Sequence, residues 1–158
     1  MKTIRYNIFE TNSSSSHSIT ISKDLTTTLD SMSLDSKGVL HVYPGEFRWG
    51  EDTFTDPETK ASYCYTWAKI NEDPSKMAML GTVLKKQTGA KKVMFHELTE
   101  YEEELQEDQE LTKDDLSGFG GQIDHQSSDV AEEAFTSSKK LKQFIFNPKS
   151  ILHISSDN

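Results

Sequence analysis

Seven consecutive residues near the start of the chain could do chemistry together. Asn12, Ser13, Ser14, Ser15, Ser16, His17 and Ser18 supply an amide, five hydroxyls and an imidazole. Hydroxyls and a run of backbone N–H groups can hold an anion. An imidazole beside them can donate to a phosphate, move a proton or bind a metal. A second polar cluster, Asp124, His125, Gln126 and Ser127, follows Gly118, Gly120 and Gly121. Glycines let a backbone come close to a ligand. Gly45-Glu46-Phe47-Arg48-Trp49-Gly50 reads as a loop pinned by two aromatics, and Glu46 adds a carboxylate. Brought together, these segments hold the parts of a phosphate-handling site.

Three chemistries fit those parts. His17 and His125 could act as acid and base on a phosphodiester while the serine loop holds the phosphate. His17, His125 and a carboxylate, Asp124 or Glu46, could instead bind a divalent metal. Or the pocket could bind a nucleotide-like ligand without turning it over. The catalytic candidates are therefore His17, His125 and Asp124. The ligand-binding candidates are Asn12, Ser13 to Ser16, Ser18, Glu46, Gln126 and Ser127. No P-loop, Rossmann glycine pattern or serine nucleophile elbow occurs in the sequence. Serine runs also occur in flexible loops that bind nothing, so the framing of this one matters.

That framing is strand-like on both sides. Ile4, Tyr6 and Ile8 alternate before the run, and Ile19 and Ile21 alternate after it. The pattern predicts strand, tight polar loop, strand, with His17 on the inward face shared by Ile19 and Ile21. A short helix is expected near Asp24, within residues 24–35. Gly38–Pro44 reads as a strand stopped by its proline. Asp56-Pro57 and Asp73-Pro74 are helix starts, with an N-cap acid and proline at the first helical position. The first helix should bury a stripe of Ala61, Cys64, Tyr65 and Ala68, and the second Met77, Leu80 and Leu84. Gly89 suits the end of the second. Lys92–Glu97 reads as a strand, Val130–Phe135 and Lys139–Phe146 as helices, and Ser150–Ser155 as the final strand. Strands mixed with helices in this order predict a single compact α+β (or mixed α/β) domain over 1–158, with a central sheet flanked by helices.

The charge is uneven. The chain of 158 residues carries a net −9, and residues 97–115 account for all of it, with ten acidic side chains against Lys113. The rest is neutral, so residues 97–115 read as an acidic insert or exposed segment, anchored by Tyr101, Leu105 and Leu111. Direct binding to nucleic acid is not expected from that balance. One cysteine excludes an internal disulfide framework and a cysteine-rich zinc site. No apolar run approaches membrane-spanning length and no secretory segment opens the chain, so a cytoplasmic location is expected.

The opening Arg5–Ser18 resembles the start of a family of small proteins from bacteriophages and from bacteria carrying phage-derived genes. Gly45–Gly50, Gly121–Ser127 and Phe144-Ile145-Phe146-Asn147-Pro148 are also similar to that family. The resemblance implies a setting in the host cytoplasm and a role in host takeover or counter-defence, without implying a reaction. Two functions are expected from these readings. One is a polar Ser/His/Asp pocket that binds or hydrolyses a nucleotide-type phosphate. The other is a non-catalytic inhibitor that meets a host defence or nucleic-acid-handling protein through its acidic segment.

Overall fold

The computed structural model describes residues 14–48, 50–108, 120–123 and 129–157, with only the backbone described for residues 14, 15, 156 and 157. The fold is α+β, as expected. Its order is β1 (Ser14–Thr20), β2 (Val39–Val42), β3 (Glu46–Phe47), β4 (Asp52–Phe54), α1 (Pro57–Ile70), α2 (Pro74–Thr88), β5 (Lys92–Phe95), α3 (Glu100–Glu107), β6 (Gln122–Ile123), a 3-10 helix (Val130–Thr136), α4 (Ser138–Phe146) and β7 (Ile151–Asp157). No helix among the described residues is long and apolar enough to cross a membrane.

The expected central sheet is instead three small sheets. β7 stands between β1 and β4, antiparallel to both, while β2 pairs with β5 and β3 with β6, each in parallel. The helices do the central packing. α1 touches α2, α4, β2, β6 and the 3-10 helix. It is therefore buried on more than the one stripe expected: Lys60, Tyr63, Thr66 and Trp67 are buried along with Ala61, Cys64, Tyr65 and Ala68.

Local chemistry sets the helix ends. The Asp56 carboxylate accepts from the Thr59 N–H at 2.8 Å, with Pro57 in the first turn, and Asp73 does the same for α2 at Lys76. α2 stops at Gly89, whose φ of 74° is the left-handed conformation that costs glycine little. Residues 24–35 form no helix. Asp24 accepts from the Thr26 N–H and Asp35 from the N–H groups of Lys37 and Val39, so the short polar side chains bond the backbone in turns in place of a helix ladder.

A buried polar knot closes α4. The Lys60 ammonium, with no exposed surface, donates to the carbonyls of Asn147 and Ser150, both at 2.9 Å. The Asn147 amide reaches the Gln143 side chain and the Asp24 carbonyl, and the Ser150 hydroxyl donates to the Gln143 carbonyl. The Phe144–Pro148 segment thus has a structural role. It turns the chain from α4 into β7 while leaving its polar groups satisfied.

Candidate functional site

The predicted site residues do not form one cluster among the described residues. Ser14–Ser16 belong to β1 rather than to a loop, paired with Ser155–Asp157 of β7. Strand alternation then divides the segment. His17 is 5% exposed, whereas Ser16 and Ser18 face solvent on the opposite side. His17 Nδ1 lies 2.9 Å from the Tyr63 hydroxyl and Nε2 lies 3.2 Å from the Arg48 carbonyl. A carbonyl only accepts, so Nε2 carries a hydrogen, and a neutral ring then accepts from Tyr63 through Nδ1. His17 is inward, as alternation predicted, and is built into the packing between β1 and α1. Glu46 is exposed and meets the Arg48 guanidinium at 2.9 Å rather than an apolar wall. Asn12, Ser13, Asp124, His125, Gln126 and Ser127 lie outside the described residues, as do Ile4–Phe9, Trp49, Leu111 and Gly118.

Among the described residues no three His, Cys, Asp or Glu side chains group as metal ligands. Cys64 is fully buried, and desolvation pushes its thiol far above the ordinary range, which leaves it unreactive.

A different constellation occupies the parallel pair β2–β5. β2 buries Leu40 and Val42 and turns His41 outward. His96 follows β5, and its N–H continues the ladder by donating to the Val42 carbonyl at 2.9 Å. In this register Tyr43 and His96 lie side by side, with their rings stacked at 4.1 Å. His41 Nδ1 meets His96 Nε2 at 2.8 Å. The far side of each imidazole ends on a carboxylate: His41 Nε2 on Asp35 at 2.8 Å, and His96 Nδ1 on Glu103 at 2.7 Å. Four titratable groups thus form one hydrogen-bonded line.

Each end of the line is positioned locally. Asp35 opens a turn in which its carboxylate also accepts from the N–H groups of Lys37 and Val39. The His41 hydrogen bond, then that of Val39, holds its carboxyl down at about 2. Glu103 sits on α3, which begins with a capping box: the Glu102 N–H donates to the Thr99 hydroxyl, and the Thr99 N–H donates to the Glu102 carboxylate. That capping role explains why Glu102 is buried. Tyr101, expected to anchor the acidic segment, is 68% exposed. Glu102 and Glu103 hold the helix, and Glu100, Glu104 and Glu107 point to solvent.

Beside this line is a cleft of about 420 Å³ between β2, α1 and α3. His41, Tyr43, Pro44 and Phe47 form part of its wall, and Glu58 and Glu100 supply carboxylates. No Lys or Arg lines it among the described residues. Burial and the nearby Glu103, Glu100 and Glu107 carboxylates raise the Tyr43 phenol above its ordinary value. The cleft is suited to a cation with an apolar stem.

The two histidines are missing from the sequence-based candidates because each stands alone in an apolar strand pattern. The available signal was weak: an acid six residues before His41 and another seven after His96. Comparison with protein-family models, with curated proteins and with solved structures finds no match for the chain.

Proposed function

We propose that the protein acts by binding, and that the cleft between β2, α1 and α3 takes a Lys or Arg side chain from a basic segment of a partner protein. The observation that carries this reading is the cleft wall, which joins Glu58 and Glu100 to Tyr43 with no Lys or Arg among its described residues. Carboxylates pair with the charged head and the aromatic wall covers the stem. The exposed Glu104 and Glu107 of α3 extend the acidic face beyond the cleft and would steer a basic partner toward it. The resemblance to phage proteins supports a host defence or nucleic-acid-handling protein as that partner.

A specific observation supports a second reading, in which a nucleotide-type phosphate is bound. β3 and β6 run parallel and end together at Phe47 and Ile123. Arg48 follows Phe47, its carbonyl meets His17, and Asp124–Ser127 follow Ile123 in sequence. Close approach makes this pairing. At Gly121, with a φ of 97°, an added Cβ would fall 2.7 Å from the Pro44 Cβ.

Calorimetric titration with an arginine-rich decapeptide and with a nucleotide panel separates the two. The binding reading expects peptide affinity that falls with salt and falls further in Glu58→Gln and Glu100→Gln. Nucleotide binding without peptide binding, lost in His17→Ala or His125→Ala, would establish the second reading instead.

A further inference from the structure

The line Asp35–His41–His96–Glu103 contains three hydrogen bonds, at 2.8, 2.8 and 2.7 Å. Each bond needs one hydrogen. Ionised carboxylates only accept, and two neutral imidazoles bring one N–H each. The count is one short. Without the missing proton, either two bare ring nitrogens face each other at 2.8 Å, or His96 donates to His41 and its bare Nδ1 faces the Glu103 carboxylate at 2.7 Å, the arrangement that repels α3. The complete line therefore holds a third proton, whether it rests on a ring or on a carboxyl. A bridging metal does not fit this spacing. Zinc–nitrogen bonds of about 2.0–2.1 Å at a tetrahedral angle would hold the two nitrogens roughly 3.3 Å apart.

The line joins two parts of the fold. Asp35 belongs to the turn before β2, His41 belongs to β2 and His96 directly follows β5, whereas Glu103 belongs to α3. α3 has few other holds on that sheet: Glu102 is its one buried side chain, and Glu102 is engaged in the cap. We propose that α3 is clamped to the β2–β5 sheet only while the line carries its third proton, so that the acidic face is presented in one protonation state and loosened in the other. This rests on the reading of that face as the binding surface.

The groups around the line come from every neighbouring element. From β2 and α1, Tyr43 stacks on His96, Tyr65 donates to the His96 carbonyl and Glu58 shares the cleft. From α3 and the residues before it come Glu97, Glu100 and Glu107. Lys37 is the cation in the turn beside Asp35, which it meets through its backbone. Lys91 and Lys92, where β5 begins, flank the same turn at Gly38 and Val39, so the Asp35 end of the line has basic neighbours and the Glu103 end acidic ones.

The experiment is amide hydrogen exchange on the free protein from about pH 5 to about pH 9, across the ordinary titration range of imidazole. Protection factors are used, so that the intrinsic pH dependence of exchange is removed. The expected result is that α3 protection falls about tenfold or more as pH rises, the loss of one charge-assisted hydrogen bond, while α1 and α2 protection stays level. Glu103→Gln is the decisive variant. Its amide can donate to a bare His96 Nδ1 and so replaces the titrating proton with a permanent one. It should keep α3 protected and flat with pH, whereas Glu103→Ala should expose α3 at every pH. A flat wild-type profile, or Glu103→Gln behaving like Glu103→Ala, overturns the clamp. So does added Zn²⁺ shifting the ring signals of both histidines and restoring α3 protection at high pH. None of these measurements uses a partner. A failed clamp therefore leaves the peptide titration to judge the binding surface on its own.

Discussion

Lys60 shows how a single buried charge is accommodated. Its amine meets two carbonyls and lies 5.8 Å from the centre of the Phe144 ring. A neutral amine has two N–H donors, which matches those two acceptors. Desolvation accordingly lowers the ammonium to about 8 from its ordinary 10.5. A depressed lysine favours folding once it is neutral. Between about pH 8 and 10.5 the unfolded chain still holds this proton while the folded chain has released it, so Lys60 makes stability rise with pH in that window. The slope should vanish in Lys60→Met, measured as the difference in urea midpoint from wild type across the window. The same variant should lose about 1–3 kcal/mol at pH 7, because the buried Ser150 carbonyl loses the Lys60 donor and the Asn147 carbonyl keeps only the Ser150 N–H. Nothing in the sequence marks Lys60 as buried: it lies in the first turns of an N-capped helix, beside Glu58 and Thr59, where a lysine is ordinarily exposed. His17 is the opposite case. Its inward direction was legible, because alternation with Ile19 depends on the strand alone.

Elements were legible where their signals are local. The two Asp-Pro helix starts, the Gly89 stop and the β2 and β5 strands all rest on residues a few positions apart, and all are present. Leu80 and Tyr65, expected in the core, are 0% and 4% exposed. Leu80→Ala should therefore cost about 2–5 kcal/mol in a denaturant melt. A loss under about half a kcal/mol would contradict the packing of α2 on α1 and α4. Sheet pairing was not legible. The meeting of His41 with His96 depends on β2 finding β5 in parallel across two helices, and no local pattern records that choice of partner. The turn at Asp35 was missed for a related reason. A run rich in Ser, Thr and Asp is compatible with a helix start, and its side chains bonded the backbone first.

Across the whole molecule the charge is concentrated where it does least for stability. α3 has no basic residue in its last turn and carries Glu100, Glu103, Glu104 and Glu107 within one short helix. Like charges three and four residues apart repel, and anions near a helix C-terminus oppose the dipole. Changing Glu104 and Glu107 to Gln should therefore raise stability by about 0.3–1 kcal/mol while weakening capture of the arginine-rich peptide. The two readouts, thermal midpoint and peptide affinity, should move in opposite directions. If both fall, these carboxylates serve the fold rather than a partner.

The position of β7 has a consequence for how the protein is made. It is the last strand in chain order among the described residues, yet it stands in the middle of its sheet, between β1 and β4. Both neighbours leave the ribosome long before it does. Until β7 emerges, β1 has no strand partner among the described residues for its row of N–H and C=O groups, and β4 is equally bare. The helices α1 and α2 can form meanwhile from contacts close in sequence, but the sheet holding His17 is completed only after β7 has been synthesised. A stalled or shortened chain would thus present two open strand edges, and quality-control proteases would meet an incomplete protein there first.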